Sequence, residues 1–274
     1  MVWAPSQGPA GGSAGVKQII DSLQYRSIAF VAKLDGNIRP LMLWWTILAS
    51  FLCGLRLGAG SGLAASASPV HLVGFLSYAL LVAAPVVSLM LALHWFRDAG
   101  RMVQPSIRLA VFGAWRPVSP AVARALPLYG ATGLMASLLV GLLINIPIRT
   151  LEFVTAIPAL SGSGPAWLGS LYGLMFADAV LFSSLYAIAF VAALRHVPLF
   201  PRLLGAIWAA DIAMQLVIAH GMAATDGLPR GVALPLEALL EGNIKKVLVS
   251  MALWAPYLLL SKRVNLTYRH RIPA

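Results

Sequence analysis

Six runs of about twenty mostly apolar residues recur along this chain, and a run of that length is what an α-helix needs to cross a hydrocarbon core of about 30 Å. They cover about 41–58, 71–96, 127–147, 168–194, 203–223 and 244–261. Backbone polar groups find no water inside a bilayer, so repeated spans of this kind must satisfy their hydrogen bonds internally, as helices do. Composition agrees, since 59% of the 274 residues are hydrophobic and only 11% are charged, too few to cover a soluble surface. The sequence therefore predicts an all-α, polytopic membrane helical bundle of six transmembrane helices.

The net charge of +11 raises nucleic acid as a partner. The basic residues, however, sit in connectors between apolar runs rather than on a folded soluble face, so no nucleic-acid partner is expected. They set orientation instead. With six crossings, fifteen of the twenty Lys and Arg fall in 1–40, 97–126, 195–202 and 262–274, and five fall on the other side. The positive-inside rule makes the first set cytoplasmic, and both termini with it.

The chain divides accordingly. Residues 1–40 hold a Gly/Pro/Ser-rich flexible tail (1–15) and an interfacial helix (16–35), and 41–96 hold two spans. Residues 97–126 form a basic cytoplasmic connector, where Ile107, Val111, Phe112 and Trp115 suggest a second surface-lying helix. Residues 127–274 form a four-span unit with a basic C-terminal tail. No basic stretch followed by an apolar one opens the sequence, so the first span is expected to direct insertion. The one cysteine, Cys53, forms neither an internal disulfide nor a CxxC pair.

Two carboxylates lie inside apolar spans, Asp178 and Asp211. A charged Asp at the bilayer centre costs about 2.5–3.5 kcal/mol on insertion scales, so it faces protein or water and finds a partner. The fourth and fifth spans run antiparallel, and counting residues places the two at nearly the same depth. Gln215 shares the face of Asp211, four residues on. Two readings follow. The carboxylates share a proton, as a proton-linked carrier requires, or each bonds to groups such as Asn145, Tyr172, Ser183 or Tyr186 and holds helices together. Arg149 and Glu152, three residues apart, read as a local pair outside the membrane, and Arg56 as a side chain snorkelling outward.

The closing stretch, 252–271, reads ALWAPYLLLSKRVNLTYRHR. Trp254 and Tyr257 are interfacial aromatics, Pro256 kinks the last turns, and Lys262 with Arg263 anchors the end among headgroups. The same positions, with Ser261, Val264, Thr267 and Tyr268, resemble the closing signature of a bacterial inner-membrane family catalogued as domain of unknown function 2569. Phe200-Pro201, opening the fifth span, is similar too. The resemblance covers about 124–270 and implies a four-helix unit in a bacterial inner membrane. It carries no activity.

Enzyme signatures such as GxSxG, a P-loop or HExxH are absent from the sequence, His residues do not cluster with acids, and no cofactor is specified. Small residues recur at four-residue spacing at Gly54/Gly58, Gly133/Ser137/Gly141 and Gly169/Gly173, as helices that pack closely require. Packing inside the bundle accounts for them, and so does packing against another membrane protein. The reading is a non-enzymatic accessory or scaffold protein whose partners are the lipid bilayer and other membrane protein subunits. The alternative is a small proton-linked transporter or channel using Asp178 and Asp211.

Overall fold

The computed structural model describes residues 11–60, 69–106, 113–157 and 165–274. It is all-α apart from one two-stranded ribbon. Helix α1 (Gly11–Gly36) turns at Asn37 into α2 (Ile38–Gly60), and α3 (Pro69–Trp95) follows. Strand β1 (Trp115–Pro117) and the short α4 (Pro120–Ala125) lie in the connector. The chain then runs through α5 (Leu134–Ala156), α6 (Ala166–Leu194), α7 (Phe200–Ala223), α8 (Arg230–Leu260), α9 (Lys262–Arg269) and β2 (Arg271–Pro273). Among the described residues five helices are long and apolar enough to cross a membrane, or six if α8 and α9, bent by 71° at Ser261, form one span. Multiple apolar helices of this kind make the chain a multi-pass membrane protein.

Helix α6 is apolar all round, as a helix at the centre of a bundle should be. It packs against α3, α5 and α7, and 56% of its apolar window is buried inside the protein. Helix α2 is its opposite: only 11% of its window is covered, and Leu43, Trp44, Ile47 and Phe51 face outward.

Several boundaries differ from expectation, each for a local reason. The third span begins at Leu134 rather than 127 because Gly130 (φ 108°) and Gly133 (φ 64°) hold left-handed backbone that a helix cannot contain. It therefore ends at Ala156 and draws Arg149 into the membrane segment. Helix α8 starts at Arg230, fourteen residues earlier than expected, and absorbs most of the Gly/Pro-rich connector. Arg56 does not snorkel outward; its Nη2 donates to the Ile157 carbonyl at 2.9 Å and ties α2 to the end of α5. In the connector, Ile107, Val111 and Phe112 lie outside the described residues, while Trp115 belongs to a strand and not to a helix. Residues 1–10 of the expected tail also lie outside them.

The C-terminal segment is folded rather than trailing. Strand β2 pairs antiparallel with β1, Arg116 opposite Ile272, and seven consecutive residues of α9, Arg263–Arg269, are buried. Tyr268 is fully buried and donates to the Ala193 carbonyl at 2.8 Å. The Thr267 hydroxyl accepts from Gly130 N at 3.0 Å. Lys262 stays exposed, but Arg263 donates to Thr132 and is only 9% exposed, so it anchors α9 to the loop before α5 rather than to headgroups. Trp254 and Tyr257 stack edge to face on α8, 6.0 Å apart, and Pro256 is exposed one turn from its end.

His196 closes the same end of the bundle. It takes a left-handed backbone (φ 56°) after α6, and its Nε2 accepts from Ala131 N at 3.2 Å. Its ring lies edge-on to Tyr129 and Tyr268. Burial, reinforced by Arg195 and Arg124, pushes its pKa down to about 4 and keeps the imidazole neutral, as the accepted hydrogen bond requires. Beside it Arg195 pairs with Asp35 of α1 at 3.1 Å.

The glycine rows are not where helices meet. A Cβ added at Gly54, Gly58, Gly141, Gly169 or Gly173 would meet nothing within 4 Å, and all five residues are exposed. Packing inside the bundle, the first of the two explanations for these rows, does not apply to them.

Candidate functional site

Asp178 sits twelve residues into α6, and Asp211 twelve residues before the end of α7. At about 1.5 Å per residue each is about 18 Å from the same end of the bundle, so the two antiparallel helices present them at one depth. Both are buried, Asp211 completely.

They are joined through a third charge. Arg149, on α5, donates Nη1 to Asp178 Oδ2 at 2.6 Å and Nη2 to Asp211 Oδ2. Its guanidinium carbon lies 4.7 Å from the centre of the Phe182 ring and 5.8 Å from that of Tyr186, a position that suits a desolvated cation. The expected Arg149–Glu152 pair is therefore overturned. A guanidinium buried among apolar helices needs anionic partners, and the two aspartates supply them. Glu152 pairs with Lys246 of α8 instead.

Every carboxylate oxygen of the cluster accepts a hydrogen bond. Gln215 Nε2 reaches Asp178 Oδ1 at 2.8 Å and Asp211 Oδ1 at 3.5 Å, and the Tyr186 hydroxyl donates to Asp211 Oδ2 at 2.9 Å. The network then runs outward: Asn243 Nδ2 donates to Gln215 Oε1 at 3.3 Å, and Lys246 Nζ to Asn243 Oδ1 at 3.2 Å. Four helices, α5 to α8, are thus pinned at one level by hydrogen-bonded charges. A guanidinium, which neither reading of the two carboxylates included, occupies the place between them.

Asp178, Asp211, Gln215 and Tyr186 thus meet in one cluster. Asn145 lies one turn before Arg149 and lines a small cavity of about 50 Å³ beside it, with Tyr186, Asn243, Lys246 and Ser250. The buried Ser183 hydroxyl has no partner. Tyr172 packs instead against Phe153 and Phe176, nearer the other end of the bundle from His196. Sequence reasoning missed Arg149 and Asn243. The signal for Arg149 was the demand of two intramembrane acids for a base, since it stands only two residues past the end of an apolar run.

Chemically, the cluster sets one guanidinium between two carboxyl groups, and Arg149 Nε is left without a hydrogen-bond partner. Among the described residues no group of three His, Cys, Asp or Glu could hold a metal ion. Comparison of the chain with protein-family models, with curated proteins and with solved structures finds no match in any of the three.

Proposed function

We propose that this chain is a non-enzymatic accessory or scaffold protein that packs beside a larger membrane complex. The observation that carries the reading is the outward position of the small-residue rows. Gly54/Gly58 on α2 and Gly169/Gly173 on α6 open onto the membrane with free space above them, as faces that admit the backbone of another helix do. The sparse cover of α2 supports it.

The test is gentle extraction from the native membrane followed by mass spectrometry of what stays bound. A stoichiometric larger partner is expected with the natural chain and is lost with Gly169→Leu plus Gly173→Leu, which the open space lets the bundle accommodate. A lone chain in both cases would sink the accessory reading. It would shift weight to a proton-linked carrier, which the hydrogen-bonded run from Asp211 out to Lys246 favours.

The topology belongs to the same proposal: six crossings, both termini cytoplasmic, in a bacterial inner membrane. Its support is the clustering at one end of Asp35 with Arg195, Gln104 with His270, and β1 with β2, which an even number of crossings between these segments requires. The bacterial inner membrane rests on the resemblance of the closing segment to domain of unknown function 2569. With Cys53 replaced by Ala, single cysteines at the exposed Val103 and Asp226 are expected to label from opposite faces of intact membranes. Labelling of both from one face contradicts six crossings.

A further inference from the structure

Between α2, α3 and α5 the bundle leaves a slot of about 510 Å³, open to the membrane. Its walls include Trp45, Leu48, Pro85, Leu89, Val140 and Pro147. Pro85 in α3 and Pro147 in α5 each lack the amide that closes one helical hydrogen bond, and both stand in the wall of the slot. The polar atom of Trp45, Nε1, is already committed to the Val82 carbonyl at 3.2 Å. An occupant of this slot is held by apolar contact.

The slot has a direction. From Leu134 to Pro147 is thirteen residues and from Trp95 back to Pro85 is ten, about 15–20 Å of helix in each case. That is about half of a hydrocarbon core of about 30 Å, the depth of one leaflet. At the end that carries most of the basic residues, Phe30 of α1 and Leu41 and Met42 of α2 contribute to the lining. Helical spacing sets three cations around it. Arg26 and Lys33 share the face of Phe30, and Arg39 stands one turn before Met42. All three are exposed and none is held in an ion pair among the described residues, while Asp35 on the same helix is already engaged by Arg195.

We infer that the slot holds one acyl chain of an anionic phospholipid of that leaflet, with its phosphate on the arc of Arg26, Lys33 and Arg39. Unlike the proposed role, this site requires no protein partner. Three uncommitted cations above an apolar slot, lined over about 10 Å of α2 and α5 and with its floor about one leaflet deep, match an anionic headgroup above its own chain. A zwitterionic lipid fills the slot equally well but gains less from the cations. A second copy of the chain in a symmetric contact sets the two basic arcs against each other, which like charges oppose.

The experiment is native mass spectrometry of the full chain in detergent micelles titrated with dioleoylphosphatidylglycerol or dioleoylphosphatidylcholine. One phosphatidylglycerol is expected to stay bound with at least about tenfold preference, given three basic residues near the phosphate. Arg26→Gln with Lys33→Gln and Arg39→Gln is expected to bring that preference within about twofold while the exposed sites leave the fold intact. Val140→Trp, which fills the slot, is expected to lose both lipids. If that variant unfolds, Leu48→Trp on the outer wall is read in its place. Equal retention of the two lipids by the natural chain overturns the inference. So does undiminished phosphatidylglycerol binding in a folded slot-filling variant, or a lipid-free dimer.

Discussion

Replacing Arg149 by Met is expected to destabilise the bundle by about 3–5 kcal/mol, because it strands two buried carboxylates that lose their cation at once. In a thermal unfolding measurement in detergent that corresponds to a fall of roughly 10 °C for a chain of this size. The charge arithmetic makes the prediction asymmetric. The cluster sets one guanidinium against two carboxyl groups, and one carboxylate suffices to balance it, so Asp178→Asn leaves a balanced pair and is expected to cost within about 1 kcal/mol. Asp211→Asn costs more, since its Oδ2 serves both Arg149 and Tyr186. Combining Arg149→Met with both Asp→Asn changes recovers most of the loss, because no uncompensated charge then remains in the core. An Arg149→Met protein as stable as the natural one would show that the three groups are not held as an ionic cluster.

The second large effect is expected where α9 meets the end of α6. Tyr268→Ala empties a fully buried aromatic site against Phe200 and strips the donor from the Ala193 carbonyl. The cost is about 3–5 kcal/mol for the ring. Tyr268→Phe, which loses the hydroxyl alone, is expected to cost about 1–2 kcal/mol. Chemical denaturation of the pair separates cavity from hydrogen bond: equal losses in the two variants would place the whole contribution in the hydroxyl. The Ala variant is also expected to open the connector near Gln104 to protease, since Tyr268 precedes the His270–Gln104 contact by two residues.

The apolar runs were legible because lipid leaves an α-helix little choice, and the depth match of Asp178 and Asp211 followed from a fixed rise per residue. What the pattern hid was partnership. Arg149 follows Pro147 by two residues at the edge of an apolar run, where a charge ordinarily marks a loop; only the acids on α6 and α7, 29 and 62 residues away, hold it inside. The start of α5 was hidden because Leu126 and Leu128 are as apolar as a spanning helix and Pro127 between them suits a first helical turn. Only the positive φ of Gly130 and Gly133 stops a helix there. The basic tail misled for the same reason as Arg149. Arg263 and Arg269 are buried because Thr132 and the Leu258 carbonyl accept from them, partners that no local spacing reveals.

The β1–β2 ribbon also has a consequence for the order in which the molecule can be made. Strand β1 sits between the first three long helices and the rest, yet its mate follows every other described element in sequence. On a chain that emerges from its N-terminal side, the early hairpin must wait in the membrane, its connector unpaired, until residues 271–273 have left the ribosome. Ribosomes stalled before and after that point should therefore display a loose and a fastened connector, and the fastening comes as a late event in biogenesis.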